Sequence, residues 1–226
     1  MPDGFLNAPT SLATGAVAAA GLALALRGAR RELDGPTAPM AGLVATFVFA
    51  AQMLNFPVGA GTSGHLLGGA LAAVLVGPWT AVLCLSVVLI VQSLLFADGG
   101  ITALGTNITL ISLVGVLVGW AVTRVLLAML PKRVGVIAPA AAIGAFLSVP
   151  TAAGVFAALY ALGGTAPLPF GSVLTAMVGW HLVIGLGEAA ITGLVVASIV
   201  GVRPDLVYAA RPALAARPLQ LATAPR

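Results

Sequence analysis

Seven apolar runs divide this sequence, and they constrain its fold more than any other feature. Most of them are long enough for the ~20 helical residues that cross ~30 Å of hydrocarbon. Hydrophobic residues make up 60% of the chain and charged residues only 7%, whereas soluble globular domains carry about 25% charged residues. We therefore expect an all-α polytopic membrane protein, a bundle of about seven transmembrane helices in a lipid bilayer. The runs are Pro9–Leu26, Pro39–Phe56, His65–Val76, Thr80–Phe96, Asn107–Leu130, Val134–Leu162 and Ser172–Val202.

The third run is too short to cross the bilayer alone, and Gly77 and Pro78 end it. Its length is typical of a partial or re-entrant helix, which would begin at His65. The preceding stretch, Pro57–Gly64, is rich in glycine and predicts irregular backbone at membrane depth. Such backbone is tolerated only where it is buried in protein or lines a cavity, so this stretch is the first candidate for a functional site.

The basic residues all lie on one side of the predicted membrane. Seven crossing segments make the connections alternate between the two faces, and every Lys and Arg falls on the same face. The positive-inside rule assigns that face to the cytoplasm, so we expect the amino terminus outside and the carboxyl terminus inside. The net charge of +4 thus indicates topology and gives no reason to expect nucleic acid as a partner. The basic residues are Arg27, Arg30, Arg31, Arg124, Lys132, Arg133, Arg203, Arg211, Arg217 and Arg226.

Composition divides the chain into a membrane-embedded bundle, residues 1–202, and a tail, residues 203–226. The tail is rich in Ala, Pro and Arg and has no hydrophobic periodicity, so we expect it to be disordered in the cytoplasm. The opening residues lack the positive region of a cleavable signal peptide, and we expect none. No Walker pattern occurs in the sequence, which predicts that this chain binds no nucleotide and that the energy for any transport comes from elsewhere.

Ionisable residues within the predicted helices are few. His181 and Glu188 lie two turns apart on one face of the last helix. Such residues cost ~3 kcal/mol or more at the bilayer centre and are functional candidates by default. The alternative is that they hydrogen-bond across the bundle and hold the helices in register. The same alternative applies to polar residues near the outer helix ends, which could otherwise form a second shell around a site: Gln52, Asn55, Gln92 and Asn107.

Four stretches carry a resemblance to a known family. They are the opening Pro2–Leu6, the run from Ala51 through Gly69, the segment Leu95–Gly105 and the segment His181–Glu188. Together they resemble the cobalt/nickel substrate-binding subunits of energy-coupling-factor transporters, the CbiM/NikM family. The run from Ala51 through Gly69 is the most specific of the four. The resemblance covers most of residues 1–202.

The resemblance implies an external metal site whose cargo is Co²⁺ or Ni²⁺. In that family the amino terminus folds back into the bundle and binds the ion together with the histidine that matches His65. For this chain the resemblance implies two metal ligands, Met1 through its amine and His65. Ligand imidazoles need orienting partners, and the candidates for that second shell are Asp3, Asn55, Thr62 and Ser63.

The resemblance also implies partners and a location. The family's binding subunit pairs with a transmembrane coupling subunit and two cytoplasmic ATPase subunits. In cobalt systems a small accessory membrane protein is also implied. This chain would then be a transport subunit of a prokaryotic cell membrane and not an enzyme.

The first residues depart from the family pattern. The family opens with Met-His, one aliphatic residue and then Pro-Asp-Gly, whereas here Met1 is followed directly by Pro2. A ligand histidine is absent, and proline has no backbone N–H to lose to a metal. Two explanations stay open. Either residues ahead of Pro2 are missing from the sequence, or this member has an altered site in which Asp3 or another residue substitutes.

Two other classes of function compete with this one. The segment Gly61–Gly64 matches the Gly-x-Ser-Gly of intramembrane serine proteases, in which Ser63 would attack and His181 would take its proton. That motif is short and weak in a chain with 28 glycines. The other alternative is a stand-alone secondary metal transporter, although the sequence has no internal repeat of the kind common in such transporters.

Overall fold

The computed structural model describes residues 1–33, 37–59 and 62–216, and side chains are not described at 56–59 and 62–63. Two short strands, β1 (Phe56–Gly59) and β2 (Thr62–Gly64), pair antiparallel after the second helix. The fifth helix includes a π-helical stretch, Ile108–Gly115. The helices are α1 (Ala8–Ala29), α2 (Thr37–Gln52), α3 (Gly69–Val76), α4 (Pro78–Leu95), α5 (Leu104–Met129), α6 (Ile137–Gly163), α7 (Phe170–Val202) and α8 (Arg211–Ala215).

Helix lengths and outer faces confirm the prediction of an all-α membrane bundle. The helices α1, α4, α5, α6 and α7 are each long and apolar enough to cross a bilayer, whereas α2 is shorter. Large apolar side chains cover the outside: Leu12, Leu162 and Leu194 are 75%, 77% and 70% exposed. Apolar surface costs about 25 cal/mol per Å² in water, so a surface of this kind is stable against lipid.

Helix α3 forms the centre of the bundle. All eight of its residues are buried, and it packs against α2, α4, α5 and α6. It lies so close to α5 that a Cβ added at Gly69 would be 2.9 Å from the carbonyl carbon of Gly115. A helix of this length spans only about 12 Å, so α3 is the short third helix that the sequence predicts, enclosed by protein.

The predicted start of the third helix at His65 is wrong, because the helix begins at Gly69. Gly68 has φ +74°, a left-handed conformation that an α-helix cannot continue through. The backbone N–H groups of Leu67 and Gly68 donate to the carboxyl group of Glu188 on α7. Residues 65–68 therefore form a non-helical segment, which we call the His65 segment.

The two ends of the bundle differ in charge. At one end, the amino-terminal end, the first residues of the chain contact Thr102 and Gly164. Every lysine and arginine that the structure describes lies at the opposite end, which we call the basic end. There the Arg211 guanidinium donates to the Thr37 hydroxyl at 3.0 Å, and the Arg124 guanidinium lies 5.6 Å from the Trp120 ring centroid. The separation matches the alternation of connections predicted from the sequence.

The expectation of a disordered tail from Arg203 differs from the structure over residues 203–216. Two 3-10 turns, Pro204–Leu206 and Tyr208–Ala210, and helix α8 fold this part of the tail against the basic end. Val207 and Ala210 are fully buried there, and this burial offsets the conformational entropy that the segment loses on ordering. The segment is too short to show a hydrophobic periodicity in the sequence. Residues 217–226 of the predicted tail lie outside the described residues.

In the turn between α3 and α4, we expect that adding one methyl group at Gly77 strongly destabilises the protein. Gly77 has φ +95°, and a Cβ there would lie 2.6 Å from Cδ of Glu32, whose carboxyl group accepts hydrogen bonds from the backbone N–H groups of Trp79 and Thr80. We expect Gly77→Ala to lower the free energy of unfolding by about 1–3 kcal/mol, because the backbone is strained and the helix cap is displaced. Thermal unfolding in detergent measures this. The control is Gly135→Ala, where a Cβ would meet nothing within 4 Å, and equal stability of the two variants would contradict the prediction.

Candidate functional site

The first seven residues fold back over the amino-terminal end of the bundle. The Asp3 carboxylate accepts hydrogen bonds from the backbone N–H of Thr102 at 2.7 Å and of Ala103 at 3.3 Å, and also from the Thr102 hydroxyl. The Thr102 hydroxyl is the main cause of the lowered pKa of Asp3, since each of these bonds favours the charged form. Asp3 therefore anchors the start of the chain to the connection between α4 and α5.

This anchor places the start of the chain inside the mouth of the bundle. The Met1 carbonyl oxygen accepts hydrogen bonds from the Gly100 N–H at 3.0 Å and from Nδ2 of Asn107 at 3.3 Å. Burial lowers the pKa of the Met1 amino group, although the Asp98 and Asp3 carboxylates act in the opposite direction. A lower pKa increases the fraction of neutral amine, which is the form that binds a metal ion.

His65 lies between β2 and α3 and is half-buried. Its Nδ1 is 2.8 Å from the backbone oxygen of Leu66. A carbonyl oxygen can only accept a hydrogen bond, so Nδ1 carries the proton and Nε2 keeps its lone pair. The hydrogen bond fixes the ring in the tautomer that can bind a cation through Nε2.

Three buried polar side chains hold the His65 segment in place. The two carboxyl oxygens of Glu188 accept hydrogen bonds at 2.6 Å from Leu67 and Gly68 N–H. Nε2 of Gln52 donates to the Leu67 carbonyl at 2.7 Å, and Nε2 of Gln92 donates to Oε1 of Gln52 at 3.0 Å. Glu188 thus satisfies two backbone N–H groups directly before α3 begins.

Met1 and His65 line the same cavity, whose volume is about 80 Å³. Asn107 and His181 also line it, and apolar side chains from α5, α6 and α7 complete the wall. The polar groups thus come from four separate parts of the chain and meet at one point. The remaining lining residues are Pro2, Gly64, Leu67, Leu110, Ile111, Ala152, Ala153, Phe156 and Met177.

Two of the residues predicted to orient the ligands, Asp3 and Asn55, do not line this cavity. Asn55 is exposed, and its Nδ2 donates to Oδ2 of Asp98 at 3.4 Å. Asp3 acts through the anchor described above. The side chains of Thr62 and Ser63 lie outside the described part of the structure.

The residues that contact the start of the chain were not predicted from the sequence. Gly100 and Thr102 bind Met1 and Asp3, and Phe5 stacks on Phe156 with ring centroids 5.7 Å apart. The glycine pair at Gly99 and Gly100 was a usable signal, because a Cβ at Gly100 would meet the Asp3 carboxylate. Phe156 gave no signal, since an aromatic residue in an apolar helix is ordinary core.

Nitrogen atoms that can bind a metal ion line this cavity. Within residues 1–33, 37–59 and 62–216, no group of three or more His, Cys, Asp or Glu side chains could hold a metal ion. The cavity instead offers the Met1 amine together with the imidazoles of His65 and His181. Such donors suit the later first-row divalent ions, including Co²⁺ and Ni²⁺.

Comparison with known proteins identifies the family. A family model described as CbiM, cobalt uptake substrate-specific transmembrane region, matches residues 1–206. The chain belongs to the CbiM family. The matched range covers the whole amino-terminal segment, the His65 segment and all seven long and short helices of the bundle.

Individual proteins that are similar to this CbiM family member are also described as metal transport proteins. A putative metal transport protein of Haloquadratum walsbyi is 40% identical over 208 residues, which are 92% of this chain and 93% of that protein. A putative fused nickel transport protein, NikMN, of Archaeoglobus fulgidus is 43% identical over 168 residues. That match covers 74% of this chain and 54% of the relative, so the chain spans about half the length of the fused protein. A crystal structure described as that of a transition metal transporter has a TM-score of 0.82 and 31% identity, over 89% of this chain and 92% of that one.

Membership in the CbiM family decides between two of the sequence hypotheses. The family is a transport family, so the predictions of a membrane transport protein and of no enzymatic activity are confirmed. The serine-protease alternative built on Ser63 and His181 is set aside. In the structure Nδ1 of His181 bonds to the Met177 carbonyl of its own helix at 2.7 Å.

Proposed function

We propose that this chain is the substrate-binding membrane subunit of an ATP-driven importer for Co²⁺ or Ni²⁺, and that it captures the ion at the outer face of the membrane. The observation that carries the proposal is the cavity shared by Met1 and His65. The family's description names cobalt uptake, and the printed name of the Archaeoglobus relative names nickel transport. Both ions accept nitrogen donors of the kind present here.

The proposal assigns two metal ligands, Met1 and His65, and their place in one cavity supports it. The Met1 amine is buried with a lowered pKa, and the His65 imidazole has its proton on Nδ1. Both features favour the form of the group that has a free nitrogen lone pair. The Asn107 side chain orients Met1 by donating a hydrogen bond to the Met1 carbonyl oxygen. Asp3 fixes the position of the amino-terminal segment through its hydrogen bond from Thr102 N–H. The proposal keeps Asn55, Thr62 and Ser63 as more distant groups that orient the ligands.

The charge distribution supports an orientation in the membrane. The basic end faces the cytoplasm under the positive-inside rule, and the cavity at the amino-terminal end then faces outward. The tail enters the cytoplasm with the carboxyl terminus. The location is the cell membrane of a prokaryote, where a divalent ion from outside reaches the cavity that His65 lines.

The partners supply the energy. A transmembrane coupling subunit and two cytoplasmic ATPase subunits bind at or near the basic end, and cobalt transport adds a small accessory membrane protein. Fused relatives of the NikMN type support a multi-component arrangement, because this chain matches only 54% of the Archaeoglobus protein. The chain itself binds no nucleotide in this proposal.

The test is direct binding of Ni²⁺ and Co²⁺ to the purified chain in nanodiscs by calorimetry. We expect His65→Ala to weaken binding at least tenfold, about 1.4 kcal/mol, because it removes a ligand nitrogen. Ser198→Ala is the matched control, since this exposed hydroxyl bonds only within its own helix, to the Leu194 carbonyl. Equal affinity of wild type and His65→Ala would overturn the assignment of the site.

A second measurement separates the importer from a stand-alone secondary metal transporter. Liposomes that contain this chain alone should not accumulate Ni²⁺ or Co²⁺, with or without an ion gradient. Uptake by the chain alone, lost in His65→Ala, would replace the ATP-driven mechanism with secondary transport. Uptake that requires the coupling and ATPase subunits supports the proposed assembly.

A further inference from the structure

One nitrogen of His181, Nε2, makes no hydrogen bond within the described part of the chain, and His181 lines the cavity that Met1 and His65 share. It lies on the inner face of α7, is 8% exposed and lines the cavity together with Met1 and His65. Its Nδ1 is 2.7 Å from the Met177 carbonyl oxygen, so Nδ1 carries the proton. Nε2 has a lone pair and makes no hydrogen bond with any residue that the structure describes.

A role in clamping helices together does not account for this imidazole. The hydrogen bond of His181 stays within its own helix, to the residue one turn earlier. Glu188, two turns further along the same face, is bound to Leu67 and Gly68. Among the described residues no fully buried side-chain nitrogen or oxygen lacks a hydrogen-bond partner, so the unpaired Nε2 of His181 is accessible from the cavity, where an ion can reach it.

The number of nitrogen donors in the cavity also favours a role for His181 in metal binding. Pro2 has no N–H to lose, so the backbone next to Met1 supplies no further nitrogen. The Met1 amine and Nε2 of His65 are two nitrogen donors in the lining of the cavity. Nε2 of His181 is a third nitrogen, and it comes from a different element of the fold.

We propose that Nε2 of His181 is a direct ligand of the transported ion, so that the site consists of the Met1 amine and both imidazoles of the chain. The proposal rests on the proposed function, because it adds a ligand to the same site. The three nitrogens come from the amino-terminal segment, the His65 segment and α7. Bound metal therefore ties α7 to the mouth of the bundle.

The test counts imidazoles around a bound metal. The sequence contains two histidines, so protein purified with a histidine-free tag gives an unambiguous count. Cu²⁺ is the probe, because it binds nitrogen sites more tightly than Ni²⁺ or Co²⁺ and pulsed EPR detects each coordinated imidazole. We expect two imidazoles in the wild type, one in His65→Ala and one in His181→Gln. Calorimetry with Ni²⁺ should show at least about a tenfold loss of affinity in His181→Gln, and none in the Ser198→Ala control on the same helix.

The outcomes separate this inference from the function on which it rests. A single imidazole in the wild type, with unchanged Ni²⁺ affinity in His181→Gln, overturns the role of His181 and leaves the importer proposal standing. No metal binding by the wild type overturns both. The wild-type count needs no variant, so the test holds even if His181→Gln fails to fold.

Discussion

Insertion of a histidine and one aliphatic residue between Met1 and Pro2 should raise the affinity for Ni²⁺ by about 1,000-fold, equivalent to ~4 kcal/mol. The insertion adds an imidazole and a backbone amide that can lose its proton, neither of which Pro2 can supply. The Asp3 anchor to Thr102 lies after the insertion and stays in place, so the new residues extend into the cavity. Additional nitrogen donors suit Ni²⁺, and calorimetry on both versions of the purified chain measures the gain.

The matched control replaces the inserted histidine by alanine. This version has the same length and the same amine position, but it gains one amide nitrogen and no imidazole. We expect most of the gain to disappear. A tag fused ahead of Met1 should also weaken binding in every version, because it occupies the amine. Equal affinity of the histidine insertion and the chain without it would end the assignment of the metal to the amino-terminal end.

Apolar runs predicted the helices well because burial in lipid is set by composition along the chain. The runs Thr80–Phe96 and Val134–Leu162 correspond closely to α4 and α6. The start of α3 was misplaced, because the left-handed Gly68 and the distant carboxyl group of Glu188 decide it. Hydrophobicity carries no information about either.

The site was harder to predict than the fold. No periodicity relates Met1 to His65, and only the resemblance to a family brought them together. The order of residues 203–216 was missed for a related reason, since Val207 is buried by a chain that folds back without forming a long helix. Contacts between distant segments decide all of these features.

Glu188→Ala should strongly destabilise the bundle and weaken metal binding together. The substitution removes the acceptor of the Leu67 and Gly68 N–H groups, and each unsatisfied buried N–H costs about 1–3 kcal/mol. The His65 segment then loses two of the hydrogen bonds that fix its position, and Gln52 alone holds the Leu67 carbonyl. We expect a clear fall in the thermal midpoint in detergent and at least a tenfold, about 1.4 kcal/mol, loss of Ni²⁺ affinity.

Glu188→Gln is the graded control, because the amide oxygen can accept one of the two hydrogen bonds while its NH₂ group faces the other donor. Its thermal midpoint and Ni²⁺ affinity should fall between those of wild type and Glu188→Ala. Ser198→Ala on the same helix should change neither, since its hydroxyl is exposed on the outer face. If Glu188→Ala kept the wild-type thermal midpoint and Ni²⁺ affinity, Glu188 would not hold the His65 segment. The coupling between α7 and the metal site would then have to run through His181 alone.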